Sequence, residues 1–143
     1  MKIHEKVTVI IGSAGSGKTT AAKCIAKDYD TDKVVWMDGS NMASYFFYFR
    51  CNKDTELVVI EEIRDINKLW SIINSAADGL CVEKRGEEAF YINPKIVVTC
   101  TPCITFEDLP MDSLSFKRIV MIVDCDMPLG GRTLIIPSII SKN

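Results

Sequence analysis

Residues 12–19 of the chain have the spacing of a phosphate-binding loop. They read Gly-Ser-Ala-Gly-Ser-Gly-Lys-Thr and match the pattern G-x-x-x-x-G-K-[ST] in full. In such a loop the backbone N–H groups point at phosphate oxygens, and the following helix adds the positive end of its dipole. Lys18 reaches the β- and γ-phosphates, and the Thr19 hydroxyl ligates Mg²⁺. The sequence therefore predicts a nucleotide site with the contacts Gly12, Ser13, Ala14, Gly15, Ser16, Gly17, Lys18, Thr19 and Thr20.

Two adjacent acids follow the apolar run of residues 57–60, which reads Leu-Val-Val-Ile. An acid at the end of a strand near a phosphate loop can hold Mg²⁺ through its water shell. A second acid beside it can take a proton from an attacking water. We therefore predict that Glu61, together with Thr19, holds Mg²⁺ and that Glu62 is the general base. The alternative is a solvated acidic strand end.

Two further residues are candidates because of their places at strand ends. Thr99 closes a β-branched run, where a side chain can orient the attacking water against the γ-phosphate. Alternatively, its hydroxyl caps the next turn. Arg118 begins the last apolar run. It either acts as an arginine finger toward the nucleotide of a neighbouring subunit or pairs with an acid at the surface.

Lys84 and Arg85 form a small basic point between two strand-like arms. Such a tip could touch a nucleic-acid backbone as a point charge. The charges alone favour a solvated tip instead, because neighbouring glutamates dilute the field.

Strand-like and helix-like segments alternate along the chain and must position these residues. Continuous apolar runs bounded by turns are typical of parallel strands buried on both faces. Their alternation with helical periodicity favours an α/β sandwich with a mostly parallel five-stranded sheet. The predicted strands are residues 6–11, 33–37, 56–60, 95–99 and 119–124, and the predicted helices are 17–29, 41–50 and 67–77. A short helix or turn is expected at 108–117, and a β-hairpin is inserted at about 80–92.

Length and composition indicate one folded domain. The 143 residues are 48% apolar and 25% charged, which excludes a disordered chain. No run approaches the ~18 apolar residues of a membrane helix, and no secretory signal is recognisable. The net charge of -2 excludes the global basic field of a dedicated nucleic-acid binder. We expect a cytoplasmic protein with a core at residues 1–126 and a tail at 127–143.

The six cysteines are best interpreted as free thiols in a reducing compartment. Cys100 and Cys103 have the spacing of a redox pair or of half a zinc site, but zinc needs about four ligands. The single histidine, His4, lies far away in sequence. We therefore predict small, buried, apolar cysteines.

The order of these motifs resembles the superfamily-three helicases, the ATPase modules of replication initiators from small DNA viruses with circular single-stranded genomes. The family pattern is a phosphate loop, a strand ending in two acids, a basic hairpin, a strand ending in Thr-Ser-Asn, and a downstream arginine. The corresponding segments here are residues 12–19, 58–62, 82–86, 96–101 and 116–119. One departure is that Thr101 stands where the family has its sensor asparagine.

The resemblance implies a P-loop NTPase three-layer sandwich of the AAA+ type that hydrolyses ATP with Mg²⁺. It further implies that copies of the chain form a ring around single-stranded DNA and that the hairpin lysine, Lys84, contacts the DNA strand. Instead of a ring, the chain could associate with a nicking or origin-binding protein. For a virus of a eukaryote, the compartment would be the host nucleus. Because the Thr101 side chain is shorter than asparagine, turnover is expected to be slow.

Two other classes of function stay open at the level of sequence. A small-molecule kinase would need a substrate pocket and an arginine-rich lid, and the five arginines are scattered. A nucleotide-binding interaction module that barely hydrolyses would fit the altered sensor.

Overall fold

The computed structural model describes residues 6–40, 50–109, 120–126 and 133–135. Two helices lie in these ranges, α1 at Lys18–Ala26 and α2 at Ile66–Asp78. The strands are β1 Val7–Ile11, β2 Val34–Asp38, β3 Leu57–Ile63, β4 Leu80–Val82, β5 Phe90–Ile92, β6 Lys95–Cys100, β7 Val120–Asp124 and β8 Thr133–Ile135. Six of these form one sheet in the order β2-β3-β6-β1-β7-β8, while β4 and β5 form a separate hairpin.

The strands of the main sheet are apolar on both faces because both faces are covered. On one face Ile10 and Val97 pack in a core cluster that includes the buried side of α1. On the other face Val9 and Val98 pack in a larger cluster with α2 and the hairpin. Alternate residues of one strand therefore enter different cores, which explains the unbroken apolar runs.

The predicted α/β architecture is confirmed. Strands β2, β3, β6, β1 and β7 are paired in parallel, as expected for the five predicted strands. The inserted hairpin is also present, with β4 paired antiparallel to β5. The sheet has a sixth strand that the sequence analysis did not predict. Residues 133–135 of the predicted tail pair antiparallel with β7, so this part of the tail belongs to the sheet.

Some boundaries differ from the predicted ones. The strand predicted to end at Ile60 continues to Ile63, so both acids lie inside β3. Residues 41–49 of one predicted helix lie outside the described ranges, and so does most of the segment predicted at 108–117. A short 3₁₀ turn at Phe106–Asp108 ends on the first residue of that segment. The division into a core and a tail at residue 126 stays a prediction.

The strand order decides which side chains meet at the carboxyl edge of the sheet. Strand β6 lies between β1 and β3, and Thr99 is in register with Ile10 of β1. The strand that carries the acids is therefore one strand removed from the strand that leads into the phosphate loop. Thr99 lies between the loop and the acids.

The hairpin lies at the opposite edge. Helix α2 runs back from the carboxyl edge, and the hairpin connects its end at Asp78 to the start of β6 at Lys95. Within the described ranges, the structure has no helix that is long and apolar enough to cross a membrane.

Candidate phosphate-binding site

The loop after β1 has the backbone that its glycines allow. Gly12 has φ 154° and Gly17 has φ 99°, and L-residues rarely adopt either value. A Cβ at Gly12 would overlap the Ser16 hydroxyl, so this position also needs a residue without a side chain. Gly17 is the residue before α1 and lets the chain turn from the loop into the helix. The N-terminus of α1 therefore points into the loop, where a helix dipole favours an anion.

The Lys18 ammonium is held over the loop. Its Nζ donates to the carbonyl oxygens of Gly12 at 2.8 Å and Ser13 at 2.9 Å. An ammonium has three N–H donors, so these bonds leave one N–H for a ligand. The lysine thus stabilises the loop and presents its charge to the same cleft.

Ser16 carries a buried hydroxyl that has no hydrogen-bond partner within the described chain. A buried unpaired hydroxyl costs about 1–3 kcal/mol, and unsatisfied groups of this kind often mark a site that a ligand completes. Together with the cation and the helix N-terminus, this donor fits a phosphate.

Asp126, a residue that no sequence pattern marked, holds the loop from the side that faces away from Lys18. Its carboxylate accepts bonds from the Ser13 backbone N–H and hydroxyl, both at 2.7 Å. Asp124 in turn accepts from the Asp126 N–H at 3.0 Å. The Ser13 N–H is therefore taken by Asp126, so Ser13 supports the loop here. The only sequence signal was a pair of aspartates after an apolar run.

Glu61 and Glu62 form a bulge in β3. Ile60 pairs with Val98 and Ile63 pairs with Cys100, so two residues of β3 face the single residue Thr99. Glu62 has φ 63°, which is a left-handed conformation that costs about 1–2 kcal/mol for a residue with a Cβ. Strained backbone of this kind is found at functional sites when the surrounding structure holds it in place.

Thr99 supports the bulge. Its side chain is only 3% exposed, and its Oγ1 accepts a hydrogen bond from the Glu62 N–H at 3.0 Å. This bond satisfies the amide that the bulge removes from the ladder. The Thr99 hydroxyl keeps its own O–H as a donor and a second lone pair. Instead of capping the next turn, Thr99 links the acid strand to the strand beside the loop.

A cleft of about 540 Å³ unites these features at the carboxyl edge of the sheet. It is lined by Ala14, Gly15, Ser16, Gly17, Lys18, Thr19, Thr20, Glu62, Arg64, Thr99, Cys100, Thr101 and Pro102. The predicted base, the predicted water-orienting threonine and most of the predicted phosphate contacts therefore share one cleft. Gly12 and Ser13 line a smaller cavity behind the loop, with Asp124 and Asp126.

The predicted metal ligands have different places. Thr19 and Glu62 line the cleft, and Glu61 does not. Glu61 is half-buried and follows Leu57 and Val59 by strand alternation, so it lies on the α1 face of the sheet. That is also the face on which α1, the helix that carries Thr19, packs. Within the described residues no group of three or more His, Cys, Asp or Glu could hold a metal. Mg²⁺ needs no such group, because it takes most of its ligands from phosphates and water.

The remaining predicted residues are not in the cleft. Arg118 lies outside the described residues. Lys84 and Arg85 lie at the hairpin tip, where the Glu87 N–H donates to the Lys84 carbonyl at 3.0 Å. Arg85 is exposed and Lys84 is half-buried. The hairpin lies near the amino ends of the parallel strands, opposite the phosphate loop. Any contact that it makes is therefore remote from the loop.

Two residues of the cleft had weaker sequence signals. Thr101 was singled out only by its place in the family pattern, and its Oγ1 lies 2.8 Å from Cys103 Sγ. Arg64 was noted only among the scattered arginines of the chain. Its place four residues after the end of an apolar run, and two residues after a pair of acids, is the signal that could have marked it.

The cysteines are free, and most are at least partly buried, as predicted. Burial raises the pKa of Cys100 to about 12 and that of Cys51 to about 11, so both remain neutral thiols. Cys103 is the exception to the prediction, because it is exposed on the loop after β6.

Replacing Thr99 tests the bulge directly. Thr99→Val keeps the shape but leaves the buried Glu62 amide without an acceptor, so it should cost about 1–3 kcal/mol of stability. Thr99→Ser keeps the hydroxyl and loses one methyl group, which is worth about 0.8 kcal/mol. Urea unfolding of the three proteins measures the difference. Equal stabilities of the valine variant and the parent would mean that the Glu62–Thr99 bond contributes nothing.

The fold is also found among solved structures. No model of a protein family matches the chain, and no curated protein is similar to it. The VirB11 ATPase from the Brucella suis type IV secretion system, solved with sulphate, superposes with a TM-score of 0.52 and 19% identity. The match covers 91% of this chain and 47% of the VirB11 chain, so this chain spans less than half of that protein.

A second similar structure is the apo A form of the NrS-1 C-terminal region. Its TM-score is 0.47 at 13% identity, over 81% of this chain and 28% of that one. The loop between β1 and α1, the parallel sheet and the match to VirB11 together assign the chain to the P-loop NTPase fold.

Proposed function

We propose that the chain is a Mg²⁺-dependent ATPase whose core resembles that of the superfamily-three helicases and acts on single-stranded DNA. The observation that carries the proposal is the cleft that joins Lys18 and Thr19 of the loop to Glu62 and Thr99 of two other strands. Binding a phosphate needs only the loop. Hydrolysis also needs a base and a group that orients the attacking water. Glu62 and Thr99 line the same cleft and can supply them.

In this proposal the loop and the metal bind the triphosphate. The loop N–H groups and the remaining N–H of Lys18 bind the β- and γ-phosphate oxygens. Thr19 and, through water, Glu61 would hold Mg²⁺, which supplies charge neutralisation on those oxygens. Asp126 keeps the entry of the loop in place through Ser13.

Glu62 is the proposed general base. Its carboxylate takes a proton from a water whose oxygen attacks the γ-phosphorus, and the bond to the β–γ bridging oxygen breaks to release ADP. The O–H of Thr99 is free to orient that water or a γ-phosphate oxygen. Thr101 lines the same wall of the cleft and is the second candidate for this task.

The place of β6 supports the helicase-like part of the proposal. Strand β6, which carries Thr99, lies between β1, which leads into the loop, and β3, which carries the two acids. In this arrangement one side chain can touch both the bulge of β3 and the nucleotide. The roles of Arg118 in a neighbouring site and of Lys84 on DNA rest on the resemblance, as do a ring and a nicking or origin-binding partner.

ATP turnover with and without a single-stranded oligonucleotide tests the proposal, together with the mass of the protein in solution. Turnover that needs Mg²⁺ and rises with DNA supports it. Transfer of phosphate to a small metabolite would favour a kinase. Tight ATP binding without turnover would favour a nucleotide-binding interaction module.

Lys84→Ala tests the DNA contact. We expect weaker single-stranded DNA binding at low salt, and a salt dependence shallower by about 0.7 in log–log slope, because one phosphate contact is lost. Turnover without DNA should not change, because the hairpin lies at the edge opposite the cleft. Fluorescence anisotropy with an oligonucleotide at several salt concentrations, with and without ATP, provides the measurement.

Lys27→Ala is the matched control, because it removes the same charge from an exposed site at the end of α1, on the other face of the sheet. DNA binding that is equally weakened in both variants would point to net charge rather than to the hairpin. Unchanged binding in Lys84→Ala and Arg85→Ala would place the contact elsewhere.

A further inference from the structure

We propose that Arg64 binds the terminal phosphate of a nucleoside triphosphate within its own subunit, so that the site discriminates a triphosphate from a diphosphate. This inference rests on the proposed nucleotide site and adds a residue that neither the loop pattern nor the family pattern includes. Arg64 is the residue directly after β3 and lines the cleft, and strand β6 separates β3 from the strand that leads into the loop.

The backbone around Arg64 is firmly held. The preceding carbonyl, of Ile63, accepts the Thr101 N–H at 2.9 Å. The following residue, Asp65, caps α2 by accepting the Asn67 N–H at 2.9 Å. A weaker contact joins the Arg64 carbonyl to Cys103 Sγ at 3.5 Å. The side chain therefore extends from a fixed point between the ends of β3 and β6.

The guanidinium is available for a ligand. Arg64 is exposed, and within the described ranges its guanidinium makes no hydrogen bond or ion pair. Among the residues that line the cleft, Lys18 and Arg64 are the two cations. Lys18 already gives two of its three N–H groups to loop carbonyls. The planar fork of an arginine, with five donors, matches phosphate oxygens better than a second lysine would.

The position favours the terminal phosphate over the other two. The loop and the start of α1 surround the inner phosphates, and Lys18 reaches the β- and γ-phosphates. The γ-phosphate is the phosphate farthest along the nucleotide, and it must face the wall of the cleft formed by the ends of β3 and β6. That wall carries Glu62 and Thr99, the residues proposed to activate and orient the attacking water. Arg64 is on that wall. A diphosphate lacks the group that would reach it, so contact with Arg64 depends on the third phosphate.

Titration calorimetry with Mg²⁺ tests the inference, using ADP and a non-hydrolysable ATP analogue. Arg64→Ala should weaken binding of the analogue by about 10–100-fold, which is typical for the loss of a charge-assisted hydrogen bond. Binding of ADP should change by less than about twofold on the same reasoning. Arg64→Lys should recover part of the loss, because it restores the charge without the fork. Lys27→Ala, which removes one positive charge from an exposed site at the end of α1, should bind both nucleotides as the parent does.

The outcomes separate the inference from the proposed function. If the parent binds neither nucleotide, the proposed function fails and the inference fails with it. If the parent binds both and Arg64→Ala binds the analogue as well as the parent does, only the inference is overturned. An equal loss for ADP and the analogue overturns it too, because Arg64 would then act on the loop or on the shared phosphates. Thermal unfolding should be unchanged in Arg64→Ala, since the side chain is exposed.

Discussion

Lys18→Ala is expected to weaken ATP binding by about 10–100-fold or more, because two functions of the lysine are lost together. One is the charge on the β- and γ-phosphates. The other is structural, since Nζ donates to the carbonyl oxygens of Gly12 and Ser13 and so links these two residues of the loop. Without that link the two carbonyls can turn toward the cleft and repel a phosphate. Calorimetric titration with ATP and Mg²⁺ measures the effect.

Lys23→Ala is the matched control for this prediction. Lys23 lies on the same helix, is exposed, and carries the same charge, but it belongs to the last turn of α1. Its loss should leave ATP binding within about twofold of the parent. If the Lys18→Ala protein binds and hydrolyses ATP like the parent, the assignment of the site is refuted. Equal losses in both variants would mean that the general charge of the helix, and not the loop, holds the nucleotide.

Glu62→Gln should slow ATP hydrolysis by about 10²–10⁴-fold and leave binding of Mg·ATP nearly intact. Glutamine has the shape of glutamate and cannot accept the proton from water. The Glu62 N–H and the Thr99 hydroxyl are untouched by the substitution, so the bulge should persist. Turnover and nucleotide binding, measured on the same preparation, separate the chemical step from affinity.

Glu61→Gln is the comparison that assigns the two acids. If Glu61 holds Mg²⁺ through water, its loss should raise the Mg²⁺ concentration that half-saturates turnover. The corresponding value for Glu62→Gln should not change. Because Glu62 lines the cleft and Glu61 does not, the same pair of variants also tests the opposite assignment. Loss of Mg·ATP binding in Glu62→Gln, with normal turnover in Glu61→Gln, would exchange the two roles.

The choice of glutamine follows from the backbone at Glu62. Any residue other than glycine bears the cost of φ 63° at this position, so glutamine and glutamate share it. A glycine there would also remove the strain, and its effect on activity would mix two causes. The strained acid and the threonine that supports it behave as one unit, so their effects on turnover should not be additive.

The local elements of this protein could be predicted from sequence because they depend on neighbouring residues. The phosphate loop needs glycines at set positions and a lysine at the start of the following helix, and the chain supplies both between residues 12 and 19. The five parallel strands are apolar on both faces, which is a composition that few other elements share. The hairpin at residues 80–92 was recognisable from two short arms around a glycine turn.

The strand order and the contacts across it were decided by tertiary structure. Residues that meet at the carboxyl edge are far apart in the chain, and no local pattern states which strands are neighbours. The bond from Glu62 to Thr99 spans 37 residues, and the bond from Ser13 to Asp126 spans 113. Pairing β8 with β7 also needed the folded edge of the sheet, because a three-residue strand has little preference of its own.

The difference is clearest at the acid pair. The sequence indicated that two acids end an apolar run, and from this it determined that a metal site or a base could lie beside the loop. It could not indicate that both acids face a single residue of β6, because a bulge is a property of two paired strands. That bulge turns Glu62 into the cleft and leaves Glu61 on the α1 face. Arg64 enters the cleft for the same reason, since its direction is set by how β3 ends against β6.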